Sequence, residues 1–193
     1  MLKPGLTAKR ICVLIWLATP IICLTIYLYD PHSFATESIV AFLRRFENEI
    51  LILYIVISIA RGFTLLPSTP LVIAGTIIYP ESPVSVLFIS IVGILLSSSM
   101  IYFFSDFLGF SEFFENKRPE YTKKMRLQFE KPWGLLFVFL WAFFPFVPTD
   151  AVCYVAGTVG VKFWKFILAI GLGELILCSF YVFSGHYVFH ILN

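Results

Sequence analysis

The chain has 193 residues, 59% of them hydrophobic and 13% charged, and its mean hydropathy is +0.90. A soluble domain is near half apolar and about a quarter charged, so the composition excludes an ordinary soluble fold and predicts an all-α polytopic membrane protein. The formal net charge of +2 is too small, and the basic residues too scattered, to suit a nucleic-acid partner.

Residues 11–29 follow Lys9 and Arg10. As a helix they would reach about 28 Å, close to a bilayer core and longer than the apolar region of a signal peptide. They are expected to form a retained first transmembrane helix with a cytoplasmic N-terminus. Residues 1–49 then comprise this helix and a polar connection holding Arg44, Arg45, Glu47 and Glu49. From 50 to 79 the chain is apolar again but interrupted, by Arg61-Gly62 and by Pro67-Ser68-Thr69-Pro70, before Pro80-Glu81-Ser82-Pro83 closes it off. The piece at 71–79 would rise only about 14 Å as helix, roughly half of the hydrocarbon thickness, and cannot cross alone.

Residues 84–105 are a full-length apolar helix, in which Gly93 and Ser97-Ser98-Ser99 offer small residues for close packing. The connection at 106–131 carries Lys117, Arg118, Lys123, Lys124, Arg126 and Lys131 against five acids. Phe110, Phe113, Phe114 and Tyr121 can lie along the bilayer surface there. The positive-inside rule places this connection in the cytoplasm; its basic run either fixes topology alone or also binds lipid headgroups. Residues 133–144 would span only about 18 Å before Pro145-Phe146-Val147-Pro148 intervenes, and the piece at 151–161 is of similar size. Lys162 and Lys165 then mark a return to the cytoplasmic interface. The run at 163–183 is long enough to span and carries Glu174 near its middle.

Two stretches share one pattern. Pro67-Ser68-Thr69-Pro70 precedes Ala74-Gly75-Thr76, and Pro145-Phe146-Val147-Pro148 precedes Ala156-Gly157-Thr158. Each reads P-x-x-P, a short apolar piece, then A-G-T, and a full-length apolar helix follows. Proline breaks a helix interior, and unwound backbone at membrane depth is tolerated only where protein or a water-filled cavity supplies partners. The pattern predicts two re-entrant helical hairpins, at about 50–80 and 133–161, entering from opposite faces as an inverted repeat. Pro67, Pro70, Gly75, Pro145, Pro148 and Gly157 would shape them. The half-helices starting after Pro70 and Pro148 would aim positive partial charge at an anionic headgroup.

Three charged residues fall in apolar surroundings: Arg61, Asp150 and Glu174. Asp150 or Thr149 can cap the half-helix after Pro148, as Ser68 or Thr69 can in the first unit. A carboxylate there costs about 2.5–3.5 kcal/mol on insertion scales, which favours a titratable or ion-paired role for Asp150 instead. Arg61 either snorkels to the interface or supplies the counter-charge for one of the acids. Tyr154 places a hydroxyl one turn beyond Asp150. His186 and His190 are spaced to share a helix face, but no third ligand accompanies them and no metal site is expected. The four cysteines, Cys12, Cys23, Cys153 and Cys178, lie in apolar runs and read as small buried hydrophobes. No hydrolase motif and no P-loop is present, so neither an enzyme nor a resident cofactor is expected.

The stretch from Pro67 to Gly75, PSTPLVIAG, and that from Phe144 to Thr158, FPFVPTDAVCYVAGT, resemble the two signature elements of the DedA and SNARE-associated Golgi protein superfamily, the VTT domain. The resemblance covers about 50–185 and leaves 186–193 as a tail. It implies two oppositely oriented re-entrant hairpins among transmembrane helices, and movement of phospholipids or lipid-linked carriers between leaflets. In relatives, acidic and arginine residues near the hairpins matter, which maps onto Asp150 and onto Arg61 and Glu174. Proton coupling, a homo-oligomer and a bacterial cytoplasmic membrane are further expectations, and the alternatives to lipid movement are a non-transporting membrane scaffold or an ion-coupled small-solute transporter. The chain departs from the family pattern at Trp141-Ala142-Phe143, where an arginine often stands, and at Cys153, where an asparagine often precedes the tyrosine.

Overall fold

The computed structural model describes residues 6–46, 48–64, 67–108, 110–145 and 147–192. The side chains of Cys12, Glu47, Phe110, Phe113, Phe146 and His190 lie outside those described. Among the described residues ten α-helices follow one another and no strand occurs. They are α1 (Leu6–Tyr29), α2 (Thr36–Leu43), α3 (Ile50–Ala60), α4 (Thr69–Ile78), α5 (Pro83–Phe107), α6 (Phe110–Lys117), α7 (Pro119–Phe129), α8 (Pro132–Phe143), α9 (Thr149–Val159) and α10 (Phe163–Leu192).

Among the described residues two stretches are long and apolar enough to cross a membrane, Pro83–Ser105 of α5 and Phe163–Val188 of α10. Both turn bulky side chains outward, Phe88 and Phe103 on α5 and Leu168, Leu172 and Phe180 on α10. Such surfaces suit lipid and not water. α1 is helical as expected, but its apolar part, Val13–Tyr29, would rise only about 26 Å, a little under the hydrocarbon thickness. Pro20 lies inside it.

Two interrupted pieces surround the long helices. In the first, the 11 residues of α3 and the 10 of α4 are parted by a 3-10 turn at Arg61–Thr64 and by Pro67. In the second, the 12 residues of α8 and the 11 of α9 are parted by Pro145 and Pro148. Each helix would rise about 15–18 Å, so none of the four reaches across a bilayer alone. The break positions match those read from the P-x-x-P pairs. α4 starts at Thr69, one residue ahead of Pro70, which is allowed because the first turn of a helix has no use for the missing N–H.

Packing is exchanged between the pieces. α3 lies on α5 and α8 on α10, yet α4 packs on α10 and equally on α2, and α9 packs on α5. α4 ends beside the start of α5, where His186 Nδ1 of α10 sits 2.7 Å from the Pro80 carbonyl. α9 ends near the other end of α5, where the Tyr102 hydroxyl donates to the Val161 carbonyl at 2.5 Å.

The glycine of each A-G-T is a contact point. A Cβ on Gly75 would lie 2.4 Å from Tyr54 Oη, and one on Gly157 would lie 2.3 Å from the Tyr102 carbonyl oxygen of α5. Gly160, at φ 69°, ends α9: its N–H donates to Gly157 and the next N–H to Ala156, a closure that a left-handed residue permits. What the sequence suggested as a polar connection is helical, and α7 packs against the end of α9. Arg126 Nε donates to the Val159 carbonyl at 2.6 Å, placing positive charge where the helix dipole is negative.

Candidate functional site

Among the described residues the buried charged side chains are Arg61, Asp150 and Glu174, at 7%, 0% and 1% exposure. All three sit at the junction of the two broken pieces. Arg61 follows the last residue of α3 and opens the 3-10 turn. Its Nη1 lies 3.1 Å from Asp150 Oδ2, which forms a salt bridge between the two pieces. Asp150 is in the first turn of α9, so both the guanidinium and the positive end of that helix face its carboxylate. Asp150 Oδ1 has no hydrogen-bond partner among the described residues.

Thr149, the neighbour of Asp150, points elsewhere. Its hydroxyl donates at 2.6 Å to Oε1 of Glu174, on α10, and Cys178 Sγ lies 3.8 Å from Glu174 Oε2. Glu174 is about 17 Å along α10 from its start, well inside the hydrocarbon depth of a spanning helix. Two successive residues thus tie α9 to the Arg61 turn on one side and to α10 on the other. Capping, one of the roles open to Thr149, Asp150 and Ser68, is not what they do here. Neither the Ser68 nor the Pro148 N-cap position has a side-chain cap bond, and Thr149 and Asp150, in the first turn of α9, turn their oxygens toward Glu174 and Arg61.

On the first piece's side of Arg61 is a cavity of about 10 Å³ lined by Tyr54, Ser58, Ser68 and Ser90. That is room for about one water. The Tyr54 and Ser90 hydroxyls are 2.9 Å apart along its wall.

Tyr154 is one turn beyond Asp150, and its hydroxyl accepts a hydrogen bond from Trp16 Nε1 of α1. The two rings meet edge to face at 4.7 Å. α1 therefore lies across the second piece and also packs on the Arg61 turn. At the departure from the family pattern, Trp141 Nε1 donates to the Pro148 carbonyl at 3.3 Å across the break. The structure thus brings Arg61, Asp150 and Glu174 together and gives Tyr154 to α1. Sequence reasoning missed Thr149 as the link to Glu174 and Trp16 as the partner of Tyr154. An indole N–H in an apolar helix needs an acceptor, and that was the available signal for the second.

An all-helical bundle with apolar spanning helices and charged side chains buried between two broken pieces defines an integral membrane protein. Residues 66–187 match the VTT domain, which is well over half of the chain. The chain belongs to this family, that of the DedA and SNARE-associated Golgi proteins. No curated protein and no solved structure matches it. Arg61 lies just before the matched segment, and Asp150, Tyr154 and Glu174 lie within it.

Proposed function

We propose that the protein moves phospholipids or lipid-linked carriers between membrane leaflets, as a scramblase or flippase. The observation that carries this reading is the Arg61–Asp150 pair, held at 3.1 Å with Asp150 fully buried, beside Glu174 in an otherwise apolar bundle. A buried pair of this kind is a poor stabiliser, since its desolvation offsets its attraction, so its presence asks for a use. In this reading the two broken pieces are re-entrant hairpins of opposite orientation, and the positions of the ends of α4 and α9 beside opposite ends of α5 support it. Arg61 exchanges Asp150 for a headgroup phosphate, which a guanidinium can bind with two parallel hydrogen bonds. The acyl tails stay in lipid. A proton taken up by Asp150 would release Arg61 for that exchange, which is how proton coupling would enter. The membrane is a bacterial cytoplasmic one with the N-terminus and the basic connection inside.

The test is leaflet exchange of a fluorescent phospholipid in liposomes holding purified protein, with Asp150→Asn alongside and with or without a proton gradient. Exchange that the substitution abolishes is expected. A folded protein that exchanges no lipid under either condition would overturn the reading.

The tight packing of the site favours one rival, a non-transporting scaffold whose charges only fix the helices. Cysteines placed at Ser68 and Thr149 in a cysteine-free background separate the two. Transport requires that they react with water-soluble thiol reagents, whereas a dry scaffold protects them.

A further inference from the structure

The α6–α7 segment forms two adjoining hollows that the function above does not use. One, of about 250 Å³, lies between α6, α7 and α9 and is lined by Phe114, Tyr121, Met125, Tyr154, Val155 and Thr158. It is apolar except for hydroxyls, and too small to enclose a whole lipid. The other lies on the outer face of α7, where Arg118, Glu120, Tyr121 and Lys124 surround it. Tyr121 belongs to both. Arg118 precedes α7 as its N-cap residue, and Tyr121 and Lys124 lie three residues apart in its first two turns; all three border the second hollow, so the ring of Tyr121 stands between an apolar slot and two exposed cations. Among the described residues Glu120 is the one acid lining the second hollow, against Arg118 and Lys124.

We propose that these hollows together bind one anionic phospholipid, with part of an acyl chain in the slot and the phosphate against Arg118 and Lys124. An amphiphile is what an apolar slot opening on a cationic face complements, and an aromatic ring at the boundary suits the headgroup level. The contrast within the molecule is informative. A larger hollow of about 580 Å³, between α3 and the start of α5, is lined by Leu51, Tyr79, Val84 and Phe88, with no charged side chain among its described lining residues. It offers hydrocarbon contact without charge selection.

The slot also leads somewhere. Its α9 wall contains Tyr154 and Thr158, which continue the face on which Asp150 lies, at four-residue steps. A lipid seated there has its chain along the line of side chains that ends at the Arg61–Asp150 pair. The site deepens the proposed function and rests on it for its purpose as an entrance. Binding itself does not require that the lipid then cross.

The experiment places the photoreactive residue p-benzoylphenylalanine at Val155, in the slot, and separately at Phe88, in the uncharged hollow. The full chain is reconstituted in liposomes of equal phosphatidylglycerol and phosphatidylcholine, illuminated, and its adducts are identified by mass spectrometry. We expect Val155 to capture phosphatidylglycerol several-fold over phosphatidylcholine, and Phe88 to capture both alike. Adding R118E and K124E, both at exposed positions, should remove the preference at Val155 while leaving capture of phosphatidylcholine. No lipid adduct at Val155, no preference there, or a preference that survives the charge reversal would overturn the proposal. Leaflet exchange measured in the same liposomes keeps the two readings apart. Anionic capture without exchange sinks only the transport reading, and exchange without selective capture sinks only this site.

Discussion

The two broken pieces share an outline and differ in where their polar side chains point. In the first, the Ser58 hydroxyl donates to the Tyr54 carbonyl at 2.7 Å, Thr64 to Arg61 at 2.6 Å and Thr76 to Val72 at 3.1 Å. These hydroxyls return to their own backbone, as polar residues in apolar helices commonly do. In the second, Thr149 reaches α10, Asp150 reaches the Arg61 turn, Tyr154 meets α1 and Trp141 bridges its own break. The first piece reaches outward through the Tyr54 hydroxyl, 2.9 Å from Ser90 of α5, and through Arg61, and is otherwise held by shape; the second has more polar ties to its neighbours. Equivalent substitutions in the two should therefore have unequal effects.

The largest difference is expected at the charged pair. Asp150→Ala leaves a buried guanidinium facing an apolar gap and should cost about 3–5 kcal/mol, read as a fall in Tm in detergent. Ser68→Ala, in the first piece, removes no cap bond and should stay within about 0.5 kcal/mol. Replacing both partners, Arg61→Met with Asp150→Leu, should recover most of the loss, because an apolar pair of similar volume satisfies itself. Next come the glycines. Gly157→Ala drives a methyl into a backbone carbonyl and should cost about 1–3 kcal/mol. Gly75→Ala meets the Tyr54 hydroxyl, a side-chain and not a backbone obstacle, whose displacement costs its bond to Ser90, so its Tm should fall less; the reverse order would contradict the contrast between the pieces. Thr149→Val should cost about 0.6–1.7 kcal/mol, in the range of interhelical hydrogen bonds in membranes. Thr76→Val, whose bond stays inside its own helix, should cost less. The smallest effect is expected for Trp16→Phe, about 0.6 kcal/mol, since only the hydrogen bond to Tyr154 is lost while the ring contact remains.

The breaks were legible in the sequence because proline acts locally and helix length is a count. So were the identities of the buried charges, since an ionisable residue in an apolar run stands out whatever surrounds it. Their pairing was not. Arg61 and Asp150 are 89 positions apart, and snorkelling or pairing were equally consistent with the local pattern. Thr149 was hidden for a related reason: a threonine at a helix start looks like a cap, and only the position of α10 shows that its hydroxyl goes to Glu174. The exchange of α4 and α9 between the long helices leaves no local trace either, although Gly75 and Gly157 mark the places where it brings chains close. Residues 106–131 read as a polar connection because charge dominates their composition. Their amphipathic helices became evident once α9 was packed against them.

In the proposed function the Arg61–Asp150 pair lies on the path of the lipid and is not merely part of the packing. The measurement that addresses it most directly is leaflet exchange in liposomes by the Arg61→Met, Asp150→Leu double variant, at a temperature where its Tm shows it folded. The account predicts a stable protein whose exchange falls to the rate of protein-free liposomes. A stable double variant that exchanges lipid as fast as the native protein would contradict it.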